Sequence, residues 1–202
     1  MPRAPYGVLP EAGRAALSVA LGVFMLVAGA LFSLFMAAYV MRMTSPDWSP
    51  VGMPWQLWLS SACLLAGSLA LQLAAGAAGA GRLAAARLWF MAGGGCALAF
   101  LLVQLWAWQV LLAMQVRPAG NPAGSFFYLL TAMHGLHVVG GLVCWMLAAR
   151  FAWRSADAAG AAWRMRLCAR YWHFLLLAWV ALFAALNWLS PEFVRYICGI
   201  PP

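Results

Sequence analysis

The chain has 202 residues, 66% of them hydrophobic and only 8% charged, with 12 basic residues, all arginine, against the acids Glu11, Asp47, Asp157 and Glu192. That composition excludes a soluble globular domain. The formal net charge of +8 does not mark a nucleic-acid binder, because the arginines stand singly or in loose clusters between apolar runs, with no aromatic-interleaved basic face.

Apolar stretches of about 18 residues or more read as transmembrane helices, since the hydrocarbon core is about 30 Å thick and a helix rises about 1.5 Å per residue. The first covers 15–41. It is too long for a signal-peptide core and ends at Tyr39-Val40-Met41-Arg42 with no small-residue cleavage site, so it is read as a retained helix. After the polar turn "TSPDWSP" (44–50) the second covers 54–75, and after the Gly/Ala-rich link "GAAGAGRLAAAR" (76–87) the third covers 88–114. The loop "RPAGNPAG" (117–124) cannot continue a helix. The fourth then covers 125–149 and the fifth 171–189. The fold class is therefore an all-α integral membrane protein, five transmembrane helices in one bundle over 1–202.

Orientation follows from the arginines. Arg3, Arg14, Arg82, Arg87, Arg150, Arg154, Arg164, Arg166 and Arg170 share one side, against Arg42, Arg117 and Arg195 on the other. The amino terminus is expected in the cytoplasm and the carboxyl terminus in the periplasm, the chain lying in the bacterial inner membrane. Trp48, Trp55, Trp89, Trp172 and Trp188 fall near predicted span ends and read as interfacial anchors.

At 100° per residue each helix has one side that prefers protein to lipid. Helix 1 lines up Ser18, Gly22, Gly29 and Ser33; helix 2 Ser61, Ser68 and Gln72; helix 3 Gly94, Gln104 and Trp108; helix 5 His173, Ala184 and Asn187. In helix 4, Thr131, His134, His137, Gly141 and Cys144 form one polar or small stripe. No carboxylate falls at membrane depth, which argues against an autonomous pump, and no nucleophile has a base and an orienting acid nearby. The cysteines, Cys63, Cys96, Cys144, Cys168 and Cys198, show no paired spacing for a disulfide framework or a thiolate metal site.

His134 and His137 raise the question of a metal or haem. An i, i+3 pair chelates, but a stable zinc site needs three or four ligands. A bis-histidine haem needs opposed rings, which His134 or His137 with His173 supplies in principle. The alternative is hydrogen bonding within the bundle, which suits the surrounding stripe better.

"FFYLLTAMHGLHVVGGL" (126–142) followed by "RYWHFLLLAWVALFAALNW" (170–188) resembles subunit III of haem-copper terminal oxidases, the cytochrome c and quinol oxidase family. "AAYVMR" (37–42), "DWSPVGMPWQLWLSSACLLAGSLALQ" (47–72) and "FLLVQLWAWQVL" (100–111) extend the likeness over most of the chain, in the short five-helix bacterial form. The resemblance implies a non-catalytic chain with no haem or copper of its own. It would flank catalytic subunit I, which holds the haem-copper centre, with subunit II as a further partner, and would itself stabilise that centre, support proton uptake and bind phospholipid. Thr131, His134, Gly135, His137, Gly141, Tyr171, Trp172, His173, Gln104 and Gln72 are the candidate packing or lipid-cleft residues. Two positions depart from the family: its buried glutamate in the first shared helix is Ala28 here, and its aspartate in Y-W-H-F-x-D is Leu176. An accessory subunit of nitric oxide reductase shares the resemblance and stays open, as does a small bis-histidine cytochrome.

Overall fold

The computed structural model describes residues 10–118, 120–154 and 157–198, with side chains described as far as Tyr196. Arg3 and the thiol of Cys198 lie outside the described residues. The helices are α1 (Glu11–Arg42), α2 (Gln56–Gly79), α3 (Leu83–Ala113), α4 (Pro122–Arg154), α5 (Ala158–Trp188) and a short α6 (Pro191–Cys198). The first five are each long and apolar enough to cross a membrane. The chain is a multi-pass membrane protein.

Several helices are longer than the predicted spans. The link 76–87 is mostly helical: α2 continues to Gly79, the chain reverses at Gly81 (φ +73°), and α3 begins at Leu83. Only glycine adopts that left-handed backbone without strain. The Arg82 N–H reaches back to the Ala77 carbonyl at 2.9 Å and closes the turn. α4 runs five residues beyond 149, and α5 begins thirteen residues before 171, capped by Asp157, whose carboxylate accepts from the Gly160 N–H. Hydropathy marks where a helix meets water. It does not mark where the helix ends, and the alanine-rich segment around 158–170 is strongly helix-forming despite its arginines.

Two expectations change as a result. Trp172 and His173 lie near the middle of α5, and Trp172 is fully buried rather than an interfacial anchor. α6 was not foreseen, although Ser190-Pro191-Glu192 is a compact start signal: the Phe193 N–H is received by Ser190 Oγ, with proline in the first turn.

α2 and α3 form an antiparallel hairpin, α5 lies against α2 and α4, and α4 closes onto α3. α1 sits outside, in contact with α4 and α5. The small stripe predicted on α1 meets α5 only in part. Gly29 packs under the Phe174 ring, and Ser18 receives a hydrogen bond from Arg170, whereas a Cβ at Gly22 would meet nothing within 4 Å and Ser33 bonds to its own helix. Of the line His173, Ala184 and Asn187, His173 meets α2 through Ser68 and Gln72, whereas Asn187 bonds to the Phe183 carbonyl of its own helix.

Glycine sets how closely these helices approach. Gly67 and Gly93 face each other across the hairpin, where a Cβ on either would stand 3.2 Å from the other's carbonyl oxygen. A Cβ on Gly94 would overlap the Trp145 indole, whose Nε1–H donates to the Phe90 carbonyl at 2.8 Å. At the cytoplasmic end expected from the arginines, Arg87 donates to the Ala152 carbonyl at 2.7 Å and lies over Trp153, and Arg14 pairs with Asp157 at 3.8 Å. At the other end Arg42 grips Asp47 with both guanidinium nitrogens, and that hydrogen bonding holds the Asp47 carboxyl below the usual carboxylate range.

Gly94→Ala is expected to destabilise the purified chain by about 1–3 kcal/mol through overpacking against Trp145. Gly95→Ala, where an added methyl meets nothing within 4 Å, is expected to show no loss. Unfolding titrated with a denaturing detergent measures both.

Candidate functional site

The inward face of α4 carries Thr131, His134, Val138, Gly141 and Trp145, all buried. Thr131 Oγ1 donates to the Phe127 carbonyl at 2.7 Å and accepts from Trp108 Nε1 at 3.1 Å, which ties α4 to α3. One turn on, His134 is wholly buried. Its ring lies 5.1 Å from Trp179, 5.5 Å from Phe100 and 6.2 Å from Phe32, so α5, α3 and α1 each contribute one aromatic wall. Neither ring nitrogen of His134, nor the amide of buried Gln104, meets a partner among the described residues.

His137 is half-buried and turned toward α1. Its Nδ1–H donates to the Met133 carbonyl of its own helix at 2.7 Å, and its ring packs on Phe32 at 5.2 Å and Phe24 at 6.0 Å. Gly135 is half-buried, with the Leu101 side chain at ordinary contact distance from where a Cβ would stand. At Gly141 a Cβ would stand 2.9 Å from the rings of Tyr171 and Trp172. The Tyr171 hydroxyl donates to the His137 carbonyl at 3.1 Å. The two motif-bearing helices are therefore fitted to each other through Gly141. Cys144, the last member of the predicted stripe, is exposed.

His173 points away from this group. Across the α2–α5 seam, Gln72 Oε1 can only accept, so His173 donates through Nε2–H at 3.0 Å. In the neutral ring Nδ1 is then the acceptor, and the Ser68 hydroxyl donates to it at 2.6 Å. Farther along the same seam, Trp179 Nε1 donates to Ser61 Oγ at 2.8 Å. The serines and Gln72 were legible as one face of helix 2. The rings around His134, from Phe32, Phe100 and Trp179, were not, because only tertiary packing brings these three helices together.

A bis-histidine haem does not fit this arrangement. Both ring nitrogens of His173 are engaged on α2, His137 donates through Nδ1 to its own helix, and His134 is enclosed by aromatic rings from α1, α3 and α5. Among the described residues, no three His, Cys, Asp or Glu side chains converge as a metal site, and the described cysteines are all free. Ala28 is buried at its place in α1, and Leu176 is a half-buried apolar residue packed against the core. A cavity of about 440 Å³ opens between α1, α4 and α5, lined by Leu21, Phe24, Cys144, Cys168 and Trp172 among others. Its lining is almost wholly apolar, and the Arg170–Ser18 hydrogen bond lies beside it in sequence.

No family model matches the chain. The probable cytochrome c oxidase subunit 3 of Mycobacterium tuberculosis is 30% identical over 126 residues, 62% of this chain and 62% of that protein. The chain is similar to oxidase subunit 3 proteins. Cytochrome c oxidase subunit 3 of Synechocystis is 28% identical over 169 residues, 79% of this chain and 70% of that one. Cytochrome bo(3) ubiquinol oxidase subunit 3 of Pseudomonas aeruginosa is 31% identical over 85 residues, 42% and 41% of the two chains. The chain thus spans about three-fifths of the length of the mycobacterial relatives it matches, 62%.

Two substitutions separate the bonded histidine seam from the enclosed one. Ser68→Ala is expected to cost about 0.6–2 kcal/mol, the worth of an interhelical hydrogen bond. His134→Leu is expected to be neutral or stabilising, because it replaces a buried group without a protein partner by an apolar one of similar size. Equilibrium unfolding in detergent micelles compares the two.

Proposed function

We propose that this chain is the non-catalytic subunit III of a bacterial haem-copper respiratory oxidase, in the short five-helix form. The observation that carries the reading is the similarity to cytochrome c oxidase subunit 3 proteins. The tight fit of the H-G-x-H helix to the Y-W-H-F helix through Gly141 supports it. Oxygen reduction then belongs to the complex, whose catalytic subunit I holds the haem-copper centre. This chain stabilises subunit I and supports proton uptake. Without a carboxylate at Ala28 or Leu176, its part in proton uptake runs through packing and lipid, with no titrating group of its own at those positions.

The almost wholly apolar cavity between α1, α4 and α5 suits a phospholipid acyl chain. Arg14, Arg82, Arg87, Arg150 and Arg154 gather at one end of the bundle. That asymmetry supports an amino terminus in the cytoplasm and a carboxyl terminus in the periplasm.

Tagged chain drawn from native membranes in mild detergent is expected to bring with it a larger haem-bearing subunit with oxygen-reducing activity, and to show no haem absorbance once separated. Isolation without any haem-bearing subunit would overturn the reading, and a partner that reduces nitric oxide would move it to the reductase. His137→Leu is expected to weaken assembly or stability during turnover while leaving the partner's haem spectrum in place. A lost spectrum in an otherwise assembled complex would contradict a packing role.

A further inference from the structure

We propose that the outer face of α2 and α5 around Gln72 and His173 seats a transmembrane helix of the haem-bearing subunit, and that this helix presents a hydrogen-bond acceptor to the Gln72 amide. The identity of that polypeptide rests on the reading above. The need for a protein acceptor rests on the Gln72 amide and on α2 being centred in the membrane.

Gln72 and His173 are both exposed. Gln72 Oε1 is taken by His173 Nε2–H, and both His173 nitrogens are satisfied. The Gln72 Nε2 group, with two N–H donors, meets no acceptor among the described residues. Centred and upright in a hydrocarbon core of about 30 Å, the 24 residues of α2, about 36 Å of helix rise, overhang it by about 3 Å at each end. Gln72 lies about 10 Å inside its end at Gly79, hence about 7 Å within the hydrocarbon.

No lipid group at that depth accepts a hydrogen bond, since acyl chains have no acceptor and ester carbonyls begin at the boundary. An amide donor left facing hydrocarbon carries a desolvation cost that membrane proteins avoid by turning such groups toward protein. A backbone carbonyl freed by a kink, or a hydroxyl or amide side chain, on a neighbouring helix meets the requirement. The flanking Leu69 and Leu177 are themselves exposed, at 56% and 69%, and give that helix an apolar bed on either side of the polar pair. The outer face of α1 differs: Val19, Val23, Leu26, Leu34 and the residues between them show no side-chain amide or imidazole. That face suits acyl chains alone.

A photo-crosslinking residue placed at Leu69 or Leu177, in the full chain in native membranes, tests the face, with Leu26 on α1 as the lipid-facing control. Adducts from 69 and 177 to peptides of the co-purified haem-bearing subunit, with none from 26, are expected. Gln72→Leu is expected to lower retention of that subunit through detergent washing about threefold to tenfold, the effect of losing one interhelical hydrogen bond. Lipid adducts alone, or a crosslinked dimer of this chain, in a preparation that still holds the haem-bearing subunit would overturn the face assignment and leave the functional reading standing. A preparation with no haem-bearing subunit overturns both.

Discussion

Aromatic rings seated on glycines hold this bundle in register. In hydrocarbon there is no hydrophobic drive between helices, so association depends on how closely surfaces fit and on the polar groups that join them. Gly94 admits the Trp145 indole and sets α3 against α4; Gly141 admits Tyr171 and Trp172 and sets α4 against α5. The indoles then use their N–H groups as pins, Trp145 to the Phe90 carbonyl, Trp108 to Thr131 and Trp179 to Ser61. A one-residue slip at the Gly94 seam would lose both the space for the Trp145 ring and the acceptor for its N–H, and a slip at Gly141 would lose the room for Tyr171 and Trp172.

The positions of the histidines follow from that register. His134 is carried into the centre because Thr131, Val138 and Gly141 on the same face are already committed to the interior. His173, two residues from Tyr171 and one from Trp172, is turned by about a quarter of a helical turn toward α2, where Ser68 and Gln72 meet it. Three histidines within two neighbouring helices thus serve three separate seams. Their separation also explains why so distinctive a pair of motifs carries no redox chemistry of its own in the proposed reading: each imidazole is used, or enclosed, before it could share a ligand with another.

Much of this was readable in the residues. Five apolar runs, their order and the loop at 117–124 follow from hydropathy and from Pro, Gly and Asn, and the inward side of α4 follows from the spacing of Thr131, His134 and Gly141. What escaped had a common cause. Alanine and arginine around 158–170 make a helix that hydropathy cannot see, because the periodic signal of a membrane span ends where water begins while backbone hydrogen bonding continues. The misplacement of Trp172 descends from that boundary. The aromatic enclosure of His134 lay beyond the sequence for another reason: its walls come from residues as distant as Phe32 and Trp179.

The peripheral place of α1 has a consequence for the order of assembly. α1 is made before α2 and α3, yet the helices it packs against, α4 and α5, are made after them. The α2–α3 hairpin, closed by the Gly81 turn, can pair as soon as it is inserted, whereas the contacts of α1 with α4 and α5 must wait until more than a hundred further residues have followed it. A long apolar stretch with its arginines at the ends is suited to that interval, since it is stable in lipid before it has any neighbour. The ion pair between Arg14 and Asp157, and the hydrogen bond between Ser18 and Arg170, then act as a late clasp, made from the first and the last turns of the bundle to be synthesised on that side.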